Sequence, residues 1–298
     1  MQLRTRNLRI PAVFVGILAL SLTVLTLAGA LSGTPAVDRG LPSANLNNAA
    51  GANRSNVAWS NGNDFISGDD FTVGATGQTW VVTGIRTWSV AGHTDNASFQ
   101  LGDLFDSVSL YGGPANPGGV SLITSGTLAA DSNVDSNPNI THTQVQYAGG
   151  ADYQGSSGAF LRIWQNDFAN LSWTVQGGVK YNFAVDGTLR VPDSYFWFNH
   201  ASNAGLSGSP QQGADGKWKA WAKSALGVVN TCDSGAPPAG VCDGGWDKSS
   251  DINVQVFASQ VATNKDQCKG DGWKTLSRAN GTGFKNQGDC IQYINTGK

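Results

Sequence analysis

The chain has 298 residues, only 13% of them charged, and a formal net charge of −2; all 21 acids are Asp and none is Glu. Nucleic-acid binding needs clustered positive charge, and this balance argues against it. A build of long surface helices is excluded too, because Asp, Asn and the 39 Gly favour turns and caps where Glu would favour helix.

Arg4, Arg6 and Arg9 precede an apolar run from Ile10 to Leu27 and the small-residue site Ala28-Gly29-Ala30. That is the layout of an export signal over residues 1–30, with cleavage expected after Ala30 and Ala36 as the second site. The alternative is an uncleaved anchor, since a bilayer span needs about 20 apolar residues. Cleavage leaves a secreted or cell-surface chain with no membrane segment. It also leaves 16 basic and 21 acidic residues, net −5.

Residues 31–54 are rich in Gly, Ala, Ser, Asn and Pro and read as a linker. A β-domain is expected over 55–260. Asn56 to Ser60 is its first strand. Asp69 to Val73 and Gln78 to Val90 then form the longest β-branched and aromatic stretch, with a tight hairpin predicted at Gly74 to Gly77. Strands follow at Asp106 to Tyr111, Val120 to Leu128, Ile140 to Ala148 and Ala159 to Gln165. Leu171 to Val175 and Val179 to Val185 alternate cleanly around Gly177-Gly178, which predicts a second hairpin. Tyr195 to His200 is aromatic, and Ile252 to Phe257 closes the series. So many short strands predict an all-β fold: two antiparallel sheets packed face to face, a jelly-roll-like sandwich. Residues 264–298 form a small tail with their own Cys pair, too short to hold a core without a crosslink.

Cys232, Cys242, Cys268 and Cys290 make an even count, which in an exported chain points to disulfides. Of the three pairings, the local Cys232–Cys242 and Cys268–Cys290 are preferred. Zinc is the rival, without short C-x-x-C spacing or a nearby His.

Catalytic candidates are sparse. Paired-carboxylate chemistry would have to use Asp, with Asp69, Asp70, Asp103 and Asp106 available; adjacent Asp read instead as strand starts or turn caps. The three His are His93, His142 and His200, and no G-x-S-x-G elbow accompanies them. His142 and His200 fall in predicted strands and read as structural; His93 with Asp95 reads as a loop pair. A metal site built from these His is a further candidate. Asp131, Asn133, Asp135 and Asn137 set oxygens at alternate positions, the spacing by which a loop wraps calcium. An EF-hand is excluded, because Ser136 stands where Gly is needed and His142 where a bidentate acid is needed. The competing reading is a polar loop. Ten Trp are present. Trp218, Trp221 and Trp246 fall in Gly- and Lys-rich stretches, as a stacking platform for sugar rings or as a lid on the sandwich. Trp80, Trp88, Trp164, Trp173 and Trp197 fall in strands and are expected in the core.

The tail reads Cys268-Lys269-Gly270-Asp271-Gly272-Trp273, then Phe284-Lys285-Asn286-Gln287-Gly288-Asp289-Cys290. It resembles a short C-terminal module of many secreted bacterial proteins, "C-K-x-G-G-W" then "F-K-N-Q-G-x-C", with Asp271 departing from the usual Gly. The body, with Asp69 to Val82, Val108 to Tyr111, Pro117-Gly118-Gly119 and a Trp/Cys-rich stretch before Asp251, is similar to exported bacterial β-sandwich proteins. The resemblance implies a secreted or surface recognition module; the leading expectation is a non-catalytic protein that binds glycan or cell-envelope material. The alternatives are an extracellular hydrolase with an Asp/His or metal site, and a structural or adhesive surface component.

Overall fold

The computed structural model describes residues 31, 33–40, 56–57, 65–93, 99–114, 121–145, 153–154, 160–190, 199–201, 212–213, 219–222, 230–231 and 251–298. The strands are β1 Val37–Asp38, β2 Asn56–Val57, β3 Phe65–Thr72, β4 Thr79–His93, β5 Phe105–Gly113, β6 Ser121–Ile123, β7 Ile140–Val145 and β8 Tyr153–Gln154. They continue as β9 Phe160–Phe168, β10 Trp173–Gln176, β11 Lys180–Leu189, β12 Asn199–Ala201, β13 Lys219–Ala222, β14 Asn230–Thr231, β15 Val254–Val261 and β16 Leu276–Ser277. Among the described residues two α-helices occur, α1 Leu101–Leu104 and α2 Gln287–Thr296. The apolar N-terminal run lies outside the described residues.

Among the described residues, ten strands make one sheet and six the other, in the order β14-β13-β3-β11-β5-β6. The chain therefore forms the two-sheet antiparallel sandwich its alternation predicts. β4 organises the larger sheet. Its first half lies between β15 and β10, and its second half between β12 and β9. Side chains from both sheets meet in one core, with Phe71 and Phe183 from the smaller sheet against Ile85, Phe168, Val175 and Val256 from the larger. Trp88 and Trp164 are buried as expected, whereas Trp80 and Trp173 are only partly covered.

Neither predicted hairpin forms. β3 and β4 belong to different sheets, and so do β10 and β11. Gly74 (φ +55°) and Gly77 (φ +88°) let the chain cross from one sheet to the other. Gly178 (φ +75°) does the same at the second crossing. The two crossings lie against each other: the amide of Gly177 donates to the Gln78 carbonyl at 2.8 Å, and that of Gly178 to the Val73 carbonyl at 2.9 Å. A Cβ on Gly177 would sit 2.3 Å from the Ala75 carbonyl oxygen. They close one end of the sandwich over a T-shaped contact of Phe71 with Trp173 at 5.5 Å.

Part of the expected linker is structural. Val37 and Asp38 pair with Val256 and Gln255 of β15. Arg39, 1% exposed, enters a cluster with Asp69 at 3.1 Å, Asp251 at 3.4 Å and Asp70 at 3.5 Å. Lys180 reaches Asp70 at 2.8 Å. Asp69 and Asp70 thus do not cap a turn as expected; they sit buried inside β3, where carboxylates persist only beside a cation and hydrogen-bond donors.

The tail folds onto the body. β16 runs parallel to β15, and Ala262 donates to the Ser277 carbonyl at 3.0 Å. The Cys268–Cys290 disulfide packs with Ala262, Leu276 and Phe284 in a small separate core. Arg278 ties it together, bonding Asp289 at 2.6 Å and lying over the Phe284 ring at 4.7 Å. Cys232 and Cys242 lie outside the described residues.

Candidate functional site

The segment between β6 and β7 folds back on itself through the bridge Leu128↔Asp135 and carries the predicted cation loop. The structure uses its oxygens for local bonds. Asn133 Oδ1 accepts from the Leu101 amide at 2.6 Å and from Trp164 Nε1 at 3.2 Å. Asn137 Oδ1 accepts from the Asn139 amide at 3.0 Å, and Asn137 Nδ2 donates to the Thr124 carbonyl at 3.0 Å. Asp131 takes a left-handed backbone (φ +56°), and its amide donates to Asp103 at 3.0 Å. Both lone pairs of Asn133 Oδ1 are taken, so a cation there would have to displace one of these donors. Among the described residues, no group of three or more His, Cys, Asp or Glu is placed to hold a metal.

Asp135 is the hub. Its Oδ1 accepts from the amides of Asn137 at 2.7 Å and Gly126 at 2.9 Å, and its Oδ2 from the Ser125 hydroxyl. Burial pushes its carboxyl up, but bonds from His142, Ser125 and the two amides outweigh it and hold the group below the usual carboxylate range.

His142, in β7, is buried beside it with Nε2 3.5 Å from Asp135 Oδ2, at the outer limit of hydrogen bonding. Its Nδ1 meets Asn166 Oδ1 at 2.8 Å, and Asn166 Nδ2 donates to Ser89 Oγ at 2.7 Å. With the Asn166 amide oriented that way, Nδ1 carries a proton, and Nε2 donates to Asp135 only when it is protonated too. β7, β9 and β4 place the three residues side by side, because His142 pairs with Asn166 and Asn166 with Thr87, two residues from Ser89.

Ser, His and Asp therefore meet here, but not in the order hydrolysis requires. A nucleophilic serine donates to imidazole, which is in turn steadied by the acid. Here Ser125 donates to the acid itself. The trio locks the loop to the sheet.

Beside it opens a cleft of about 380 Å³ lined by Asn133, Val134, Ser136, Pro138, Ile140 and Thr141, with Asp135 and His142 also at its wall. Val134 stands 73% exposed at its edge. The cleft is apolar on its wall and carries a few hydroxyl and amide groups, the make-up of a small-ligand site.

The chain matches no protein-family model, no curated protein and no solved structure.

Among the sequence candidates, Asn133 and Asp135 line the cleft with His142, and the Asn137 amide bonds Asp135, whereas Asp131 turns to Asp103. Trp221 is not part of an exposed platform. It lies in β13, fully buried against Ile66 and Ala184, because the Lys219–Ala222 stretch pairs with β3 and turns that ring inward. Trp218 and Trp246 lie outside the described residues. His93 ends β4, and His200 sits in β12. Sequence reading missed Ser125, Asn166 and Arg39. Nothing local marks Ser125 or Arg39; Asn166, a polar residue inside an apolar strand, was the available signal.

Proposed function

We propose that this protein is a secreted or surface-exposed recognition module that binds a glycan segment of extracellular or cell-envelope material without chemistry. The observation carrying this reading is the cleft beside the Asp135–His142 lock. Val134 and Pro138 offer an apolar surface to the C–H face of a sugar ring, and Ser136 and Thr141 offer hydroxyl partners. The wiring of Ser125 to Asp135 supports binding over hydrolysis. The likeness of the body and tail motifs to exported bacterial proteins supports the extracellular setting, and calcium at Asp131 to Asn137 enters as a candidate co-ligand.

The test is retention of the chain on a panel of insoluble neutral polysaccharides and cell-wall preparations, with calcium and with chelator. Selective retention is expected, and Val134→Asp should weaken it roughly fivefold or more by charging the cleft edge, with the melting temperature unchanged because Val134 is exposed. Turnover of a retained polysaccharide would overturn the non-catalytic reading, and no retention anywhere would overturn the glycan reading. Loss of retention in chelator would assign calcium a role at the loop.

A further inference from the structure

Charge is distributed unevenly along the chain. Residues 264–298 carry Lys265, Lys269, Lys274, Arg278, Lys285 and Lys298 against Asp266, Asp271 and Asp289, a net of +3. Residues 31–263 carry ten basic and 18 acidic residues, a net of −8. The module spends each of its acids internally: Asp266 on Lys269 at 2.6 Å, Asp271 on Lys274 at 2.9 Å and Asp289 on Arg278 at 2.6 Å. Lys285 adds to the positive surroundings of Asp289. Lys265, Lys285 and Lys298 are left exposed, with no ion pair among the described residues.

Two of these flank one element: Lys285 immediately precedes the N-cap Asn286 of α2, and Lys298 follows its C-cap Gly297, with the ten-residue helix, about 15 Å long, between them. Lys265 lies in the turn before Cys268, and the disulfide ties that turn to the first helical turn at Cys290. Trp273 is half-buried against the module's small core, with Lys274 5.7 Å over its ring. At physiological salt, charges more than about 8 Å apart are largely screened, so a polymer at the module meets its local positive field more than the acidic body.

We propose that the C-terminal module is a second docking surface, for an anionic polysaccharide bearing carboxylate, phosphate or sulfate groups, with Lys265, Lys285 and Lys298 as its contacts. This rests on the recognition reading above and adds to it: the cleft takes neutral ring faces, and the module takes the charge.

The test uses the chain from residue 31 to 298 and a Lys265→Gln/Lys285→Gln/Lys298→Gln variant on immobilised polygalacturonate, dextran sulfate and neutral dextran over a NaCl series. The wild type is expected to bind both anionic polymers and to weaken as salt rises. An exposed lysine at an anionic surface is worth about a factor of five, so the variant should bind about a hundredfold more weakly. Its melting temperature and its retention on neutral polysaccharides should not change. Binding to one anionic polymer alone would support the surface and name its group as carboxylate or sulfate. Equal binding of wild type and variant, or binding indifferent to salt, would overturn the proposal. So would light scattering that shows the lysines driving self-association through another copy's acidic body. Retention on neutral glycans without binding to either anionic polymer would overturn this inference and leave the cleft reading standing. Lysine-dependent binding to the anionic polymers with no neutral retention would do the reverse.

Discussion

Asp69 is the residue whose surroundings do most to its chemistry. Burial pushes its carboxyl up to about 8; Arg39 opposes this, Asp251 and Asp70 add to it, and the Ile252 amide at 2.8 Å opposes it again. An acid whose folded pKa is raised binds a proton in the native chain that the unfolded chain has already released. Its contribution to stability is therefore complete below the ordinary value of 3.8 and is lost as pH rises through about 8. Wild-type stability should fall across that window by up to about 1.4 kcal/mol per pH unit. Asp69→Asn, which mimics the protonated acid, should flatten the fall in a series of thermal melts. Asp135 and Asp289, both held low, act the other way: their stability is lost only in acid. In the sequence Asp69 and Asp70 look like two turn residues. Their burial depends on an arginine 30 positions earlier and, for Asp69, on the amide of Ile252 far downstream, and no local pattern carries that.

The same limit operates on whole elements. The strands at Phe71, Trp80, Leu171 and Val179 are legible because period-2 alternation reports a half-buried extended chain. Whether consecutive strands pair or cross between sheets is not legible, since both need a short Gly-rich turn and the same alternation. The crossing makes a measurable difference. The Gly177 and Gly178 amides bond to carbonyls in the other crossing, whereas the outward amide of a two-residue hairpin turn faces water. Hydrogen exchange should show both amides protected; fast exchange at Gly178 would return the segment to a hairpin. Trp221 teaches a related lesson: Lys217-Trp218-Lys219-Ala220-Trp221 looks like a polar loop, yet pairing with β3 makes its last part a strand whose ring faces inward. The cation loop was the most legible part of the candidate site, but alternate Asp and Asn describe an Asx-rich turn as well as a ligand set.

For the whole molecule, composition sets the tail apart in the sequence, while how it joins the body is not legible there. β16 extends the body's larger sheet, so the tail is built on the sandwich edge. The disulfide closes a loop with a sequence separation of 22, worth roughly 3 kcal/mol by loop-closure entropy. Cys290→Ala should therefore open residues 264–298 to protease while the sandwich keeps its cooperative melt, read by limited proteolysis beside thermal unfolding. If both parts unfold together, the module is a structural brace for β15 as much as an appendage.

The strap at Val37–Asp38 also has a bearing on time. Ribosomes deliver the chain from its N-terminus, so Arg39 emerges early. Its carbonyl is met by Asn253, 214 residues later, and its guanidinium by Asp251. Until that late segment arrives, β4 lacks its β15 neighbour and the strap has no edge to lie on. Contacts so distant along the chain make for slow closure. The nascent sandwich thus stays open through most of its own synthesis, and the segment that emerges among the first is one of the last to settle.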